Sequence, residues 1–182
     1  MDEAFLRYLD PAFRYVKSQN PVRVRCRDDA LRDGLNCVAL AHLVIRDLLG
    51  YTLPAHLQAL ELVRDLEHFQ PVPDPGHMQA GDLVWLGEDH PRVEQEEFVP
   101  QYDGDELVNG GDYPVKHVAI CTGTRDDDGD YLLLHASAAD GTNALWPLRS
   151  FHDYDRYGRI YAIRRLRREF RRIGNPADEA PR

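Results

Sequence analysis

The hydrophobic period of this chain changes once, and the change falls at the proline-rich break PVPDPG, residues 71–76. Before the break, apolar residues recur at three- and four-residue spacings, the mark of helices packed by one face. After it they come in short alternating runs, the mark of strands. The first half predicts a helix over 2–18, with Phe5, Leu6, Leu9, Phe13 and Val16 on its apolar stripe and Pro11 placed to bend or split it. Arginine-rich loop follows to Asp33. A second helix starts at Cys37, with Leu40, Ala41, Val44 and Leu48 in phase, and stops at Gly50. A third spans 55–69 through Leu57, Leu60, Val63 and Leu66. The second half predicts strands at AGDLVWLG, VKHVAICTG, DYLLLHAS and GRIYAIRRL, the middle two joined by the turn-rich TRDDDGD. Helices first and antiparallel strands afterwards predict an α+β class, not an alternating α/β one. A single domain over 1–173 is expected, with an acidic, Pro- and Gly-rich inserted loop at 88–113 and a disordered tail at 174–182.

The formal net charge of -9 argues against nucleic acid or an anionic membrane as partner. One basic run departs from it. RRLRREFRR, which begins at Arg164 and ends at Arg172, carries six arginines and the single acid Glu169. It reads as a solvated terminal helix or as a docking site for an acidic partner. The start of the chain is acidic and amphipathic, not a basic stretch followed by an apolar one, and no apolar run is long enough for a bilayer. A cytoplasmic chain is expected, and work outside the cell would need another route.

Three scattered cysteines, Cys26, Cys37 and Cys121, suit neither a disulfide framework nor a C-x-x-C metal site. Cys37 stands apart. Asn36 is a strong helix N-cap residue, so Cys37 would occupy the first helical position, where unpaired N–H groups and the helix dipole favour a thiolate. The competing reading is a small core residue, since Cys37 shares a face with Leu40, Ala41 and Val44. His117 adds to the first reading. Alternation puts Val115, His117, Ala119 and Cys121 on one strand face, and His135 sits similarly near the end of the next strand. Paired strands would set the two imidazoles side by side, giving a nucleophile, a base and a group that orients the base. The same three residues could instead hold zinc with one position open. TRDDDGD does not fit a calcium loop, because aligning its glycine puts Thr124 and His135 where acids are required. His42, His56, His68, His77, His90 and His152 read as solvated or capping, Cys26 and Cys121 as structural, and Asp140 as a possible neighbour of the site.

The ordered set NCVAL, AGDLVWL, KHVAICTG and LLLHAS resembles the NlpC family of papain-like cysteine peptidases. The resemblance spans residues 33–137. It implies a papain-like fold with the cysteine helix packed on an antiparallel sheet, and no cofactor or metal. It also implies Cys37 as nucleophile, His117 as general base and His135 as the orienting residue. The implied substrate is a peptide or amide, by default a peptidoglycan stem peptide. Relatives that transfer acyl groups make a cytosolic acyl or peptidyl transferase the second expectation, and a catalytically inactive binding module the third. The chain departs from the family pattern where Asn36 replaces an aspartate and Val38-Ala39 a small polar pair. The upstream tyrosine motif, which helps bind the oxyanion, has no counterpart in VRVRCRDDALRDG. The backbone N–H of Cys37 would remain as one oxyanion donor, beside the cap at Asn36.

Overall fold

The computed structural model describes residues 3–104 and 106–171. Five helices occur in it: α1 (Glu3–Leu6), α2 (Arg27–Asp33), α3 (Cys37–Leu49), α4 (Ala59–Arg64) and α5 (Leu148–Phe151). Eight strands follow one another as β1 (Phe69–Pro71), β2 (Leu83–Gly87), β3 (Tyr102–Asp103), β4 (Glu106–Leu107), β5 (Val115–Arg125), β6 (Tyr131–Ser137), β7 (Thr142–Pro147) and β8 (Arg159–Leu166). Six of them form one sheet in the order β1-β8-β2-β5-β6-β7, antiparallel throughout, and β3 and β4 make a separate hairpin. The class is α+β. Among the described residues no helix is long and apolar enough to cross a membrane.

The sheet is covered on both sides, and alternation decides what each side meets. Leu83, Trp85, Val118, Ile120, Leu134 and Ala136 pack with Leu40, Val44 and Ile45 of α3. Val84, Leu86, Ala119, Cys121 and Leu133 pack on the other side with Met78, Phe151 and Ile163. Burying each large aliphatic chain stabilises the fold by roughly 1.5–3 kcal/mol, so β2, buried at all five positions, anchors the sheet. Helix α3 ends as expected at Gly50, whose left-handed backbone (φ 67°) turns its N–H onto the Arg46 carbonyl.

Several expected elements differ. The helix expected over 2–18 is confined to α1, which buries Phe5; Asp10 caps the Ala12 N–H in a turn at Pro11, and the buried Tyr8 and Phe13 are held by turns. The stretch expected as loop up to Asp33 contains α2, a polar helix with only Ala30 buried. The helix expected over 55–69 is reduced to α4. Asp65 ends it by accepting the N–H groups of Glu67 and His68, and its predicted stripe residue Leu66 is exposed. The basic run is not a terminal helix. Its first residues finish β8 and Arg168–Phe170 make one 3-10 turn, while Arg172 and the expected tail at 174–182 lie outside the described residues. The loop expected at 88–113 carries the β3–β4 hairpin and contributes buried Phe98 and Tyr113 to the core.

One irregularity shapes the site. Leu86 pairs with His117, but the next residue, Gly87, pairs with Val115, so Lys116 is extra in β5. This β-bulge turns Val115 to the α3 side, where simple alternation had placed it beside His117. A side chain at position 87 would put its Cβ 2.2 Å from the Pro114 carbonyl oxygen, so only glycine fits there.

Candidate active site

The N-terminal segment positions Cys37. Val16 donates to the Leu35 carbonyl and Leu35 to that of Arg14, both at 2.8 Å, which fixes the approach to α3. At its start Asn36 works in both directions. Its Oδ1 accepts the Ala39 N–H at 2.8 Å, and its Nδ2 donates to the carbonyls of Gln19 (2.7 Å) and Lys17 (3.2 Å). Cys37 is thereby set in the first turn of α3, half-buried against the core.

The sulfur lies at a narrow cavity of about 40 Å³ bordered by Cys37, Trp85, Tyr113, Lys116, His117 and Val118. Its polar neighbours are backbone N–H groups of Val118, Val38 and Cys37 itself, all of which favour a thiolate. Burial is the larger effect and pushes the thiol pKa up. The lowered pKa expected from a helix start alone is therefore corrected, because desolvation outweighs the local dipoles.

His117 and His135 meet directly. His117 Nε2 and His135 Nδ1 are 3.1 Å apart, with the rings nearly perpendicular at 88°. His117 pairs with Leu86 across the ladder and His135 with Ala144, which puts both imidazoles on the sheet face away from α3. Their walls are aromatic: Phe151 and Tyr157 stand beside His117, and Trp146 and Phe151 beside His135. Burial holds the His117 pKa well below the ordinary histidine value, helped by His135 and Arg156. Burial likewise pushes His135 down to about 4, against the charge of Asp140. Both imidazoles are therefore neutral at neutral pH. Among the described residues His135 Nε2 is buried without a hydrogen-bond partner. The ladder between β5 and β6 ends at Ile120–Leu134, short of both histidines, so the two strands are unladdered where Cys37 abuts β5. The structure thus joins His117 to His135, and sets Cys37 against the same cavity wall as His117 with its polar contacts to backbone.

The other sequence candidates find ordinary places. Among the described residues no three His, Cys, Asp or Glu side chains converge on a metal position. The zinc alternative fails because the two imidazoles point nitrogen to nitrogen at each other. Asp126, Asp128 and Asp130 of the hairpin turn are gathered by Arg149. His42 contacts the Leu57 carbonyl, His68 the Asp65 carboxylate and His152 the Gly158 carbonyl. Cys121 is buried and Cys26 exposed. Four arginines of the basic run bond internally: Arg164 to the Val63 carbonyl, Arg165 to Asp82, Arg167 to the Leu66 carbonyl and Arg171 to the Leu166 carbonyl.

Sequence reasoning missed the aromatic wall of Phe151, Tyr157 and Trp146, which follows no motif. It also missed Lys116, although the chain has only two lysines and this one adjoins His117. Beyond Lys116 an open cleft of about 490 Å³ is lined by Glu88, Asp89, His90, Gly111, Lys116, Asp155 and Arg156. No known family's sequence model matches this chain, and no curated protein matches it either.

Proposed function

We propose that the chain is a thiol acyl hydrolase of papain-like, NlpC-type fold that cleaves an amide or peptide bond. The observation that carries the reading is the 3.1 Å contact between His117 Nε2 and His135 Nδ1 beside the cavity that holds Cys37. The aromatic surroundings favour one tautomer pair. If His117 Nε2–H donates to His135 Nδ1, the remaining proton of His135 sits on Nε2, where the aromatic surroundings of Trp146 and Phe151 suit an N–H better than a bare lone pair. His117 Nδ1 is then left with a lone pair, and His135 holds it in that state.

Thiol and imidazole both start neutral. As the Cys37 sulfur attacks the carbonyl carbon, His117 takes the thiol proton through water, around the unladdered end of β5, since its ring lies on the sheet face away from α3. The tetrahedral intermediate collapses to a thioester, and His117 returns the proton to the departing amine. Water then attacks the thioester with His117 as base, which releases the acid and restores the thiol. The Val118 and Cys37 N–H groups, both near the sulfur, would serve the developing oxyanion. Peptidoglycan stem peptides are the first substrates to test, on the strength of the sequence resemblance; interception of the thioester by an amine would make the same site a transferase.

The raised thiol pKa favours a second reading, a non-catalytic binding module in which Cys37 is packing. One experiment separates them. Wild-type protein incubated with muropeptides and with cell extract is analysed by mass spectrometry for an acyl adduct on Cys37, alongside Cys37→Ala and Cys37→Ser. The thiol reading expects the adduct, and a loss of roughly 10⁴-fold or more in any turnover in variants that remain folded. Turnover that persists in Cys37→Ala overturns it.

A further inference from the structure

We propose that the turn Gly110–Asp112, held by Lys116, is a latch that narrows the Cys37 cavity, and that substrates reach the sulfur only when it is released. The inference rests on the Cys37 reading above, but its test does not.

Two spaces meet at Lys116. One is the cavity of about 40 Å³ at Cys37, Tyr113 and His117, too small for an amide with its flanking groups; the other is the cleft of about 490 Å³ at Glu88, Gly111 and Arg156. Lys116 borders both, so it stands with the 110–113 segment as the partition between them. Its ammonium donates to the Gly111 carbonyl at 2.7 Å and to the Tyr113 carbonyl, and pairs with Glu88 at 3.3 Å. All three donors are thus engaged, and the lysine side chain is only 9% exposed. A lysine this enclosed, tying two carbonyls of one short turn to its own strand, acts as a fastener.

The fastened piece is short and bounded. On one side the Asn109 side chain accepts the Gln101 N–H (2.8 Å) and donates to the Val99 carbonyl (2.9 Å). On the other the Pro114 carbonyl accepts the Glu88 N–H at 3.0 Å. Between these fixed points lie two successive glycines, and a Cβ added at Gly111 would meet nothing within 4 Å. The Gly110–Asp112 turn therefore has room to swing outward while Tyr113 stays anchored by Phe98 and Gln95, and moving the turn with the Lys116 side chain joins the narrow cavity to the open cleft.

The three cysteines supply a built-in gauge, since Cys26 is exposed, Cys37 lies behind the latch and Cys121 is buried. Full-length wild type, Lys116→Met and Glu88→Gln are treated with iodoacetamide at one pH, and labelling of each cysteine is followed by peptide mass spectrometry. Charge-assisted hydrogen bonds of this kind set an expected rise of about tenfold or more in the Cys37 rate in Lys116→Met, and a smaller rise in Glu88→Gln, with Cys121 still unlabelled. Loss of the ammonium by itself disfavours the thiolate, so a rise reports access. Unchanged Cys37 labelling in both folded variants overturns the latch, as does a wild-type Cys37 that labels as fast as Cys26. If Lys116→Met labels Cys121 as well, its fold has opened, and Glu88→Gln decides: a rise at Cys37 alone supports the latch and no rise overturns it. Labelling needs no turnover. A released latch without any acyl adduct on Cys37 would therefore count against the hydrolase and not against the latch.

Discussion

The paired imidazoles are the most telling single residues, because burying two histidines in contact has a price that depends on pH. His135 titrates at about 4 in the fold and near 6.5 when exposed. Between those values the unfolded chain binds a proton that the folded chain refuses, so stability is complete above about pH 6.5 and is lost as the pH falls toward 4. A shift of this size corresponds to about 3 kcal/mol across the window, and His117, also depressed, acts in the same direction. Urea midpoints measured from pH 7 to pH 4 should therefore fall more steeply in wild type than in His135→Phe. That variant loses the His117 contact and will be weaker at pH 7, yet its acid limb should be shallower. Parallel limbs would show that His135 is not held neutral by its surroundings. The residue scale also shows where reading the sequence stops. Alternation on neighbouring strands foresaw that His117 and His135 would meet. Nothing in NCVAL announces that burial outweighs the helix dipole at Cys37, because desolvation is set by Tyr113 and Trp85, both remote in the chain.

Among the elements, α3 depends most on its first cap. Asn36 accepts the Ala39 N–H and also donates twice to the segment that carries Lys17 and Gln19. A cap alone is worth about 1 kcal/mol, and the two carbonyl contacts add comparable amounts. Asn36→Ala should therefore cost about 2 kcal/mol or more in urea unfolding. Asn36→Asp separates the two roles. It keeps the cap acceptor but sets a carboxylate oxygen against the Gln19 and Lys17 carbonyls, so it too should destabilise, and a neutral or stabilising result would reduce Asn36 to a simple cap. This double use accounts for asparagine where the resembled motif has aspartate. It also explains why α3 was legible, with its cap, its period and its terminal glycine all local. Strands β2, β5, β6 and β8 were legible for the same reason, as apolar runs between turns. Less visible elements are set by distant contacts. Helix α2, RDDALRD, buries one residue and leaves little periodic trace, β1 has three residues and exists by pairing with β8, and β7 went unread as an edge strand ending at Pro147. The bulge at Lys116 is likewise fixed by Gly87 on the neighbouring strand.

Across the whole molecule, the long-range tie that matters most joins the start of β2 to β8. Asp82, fully buried, accepts from Arg165 Nε at 2.8 Å and Nη2 at 2.7 Å, and also from the Gln79 N–H at 2.8 Å. Its own carbonyl accepts the Cys121 N–H at 2.8 Å, which brings β5 into the same junction. The basic run thus serves the interior. Arg165 closes the sheet against Asp82, while Arg164 and Arg167 fasten β8 to the chain around α4 and β1. Removing one partner of a buried pair leaves the other charge uncompensated, at a cost of about 3–5 kcal/mol. Asp82→Ala should sit at the lower end of that range, because the Arg165 side chain is 17% exposed and can turn partly to water. Arg165→Ala strands the carboxylate in the interior and should cost at least as much. The double variant then discriminates. If the two side chains act on each other, it should be less damaged than the sum of the single changes by about 1–3 kcal/mol in urea unfolding at pH 7. Strict additivity would mean that each is held by its other contacts, Asp82 by Gln79 and Arg165 by the His77 carbonyl, and that the sheet is closed by packing alone.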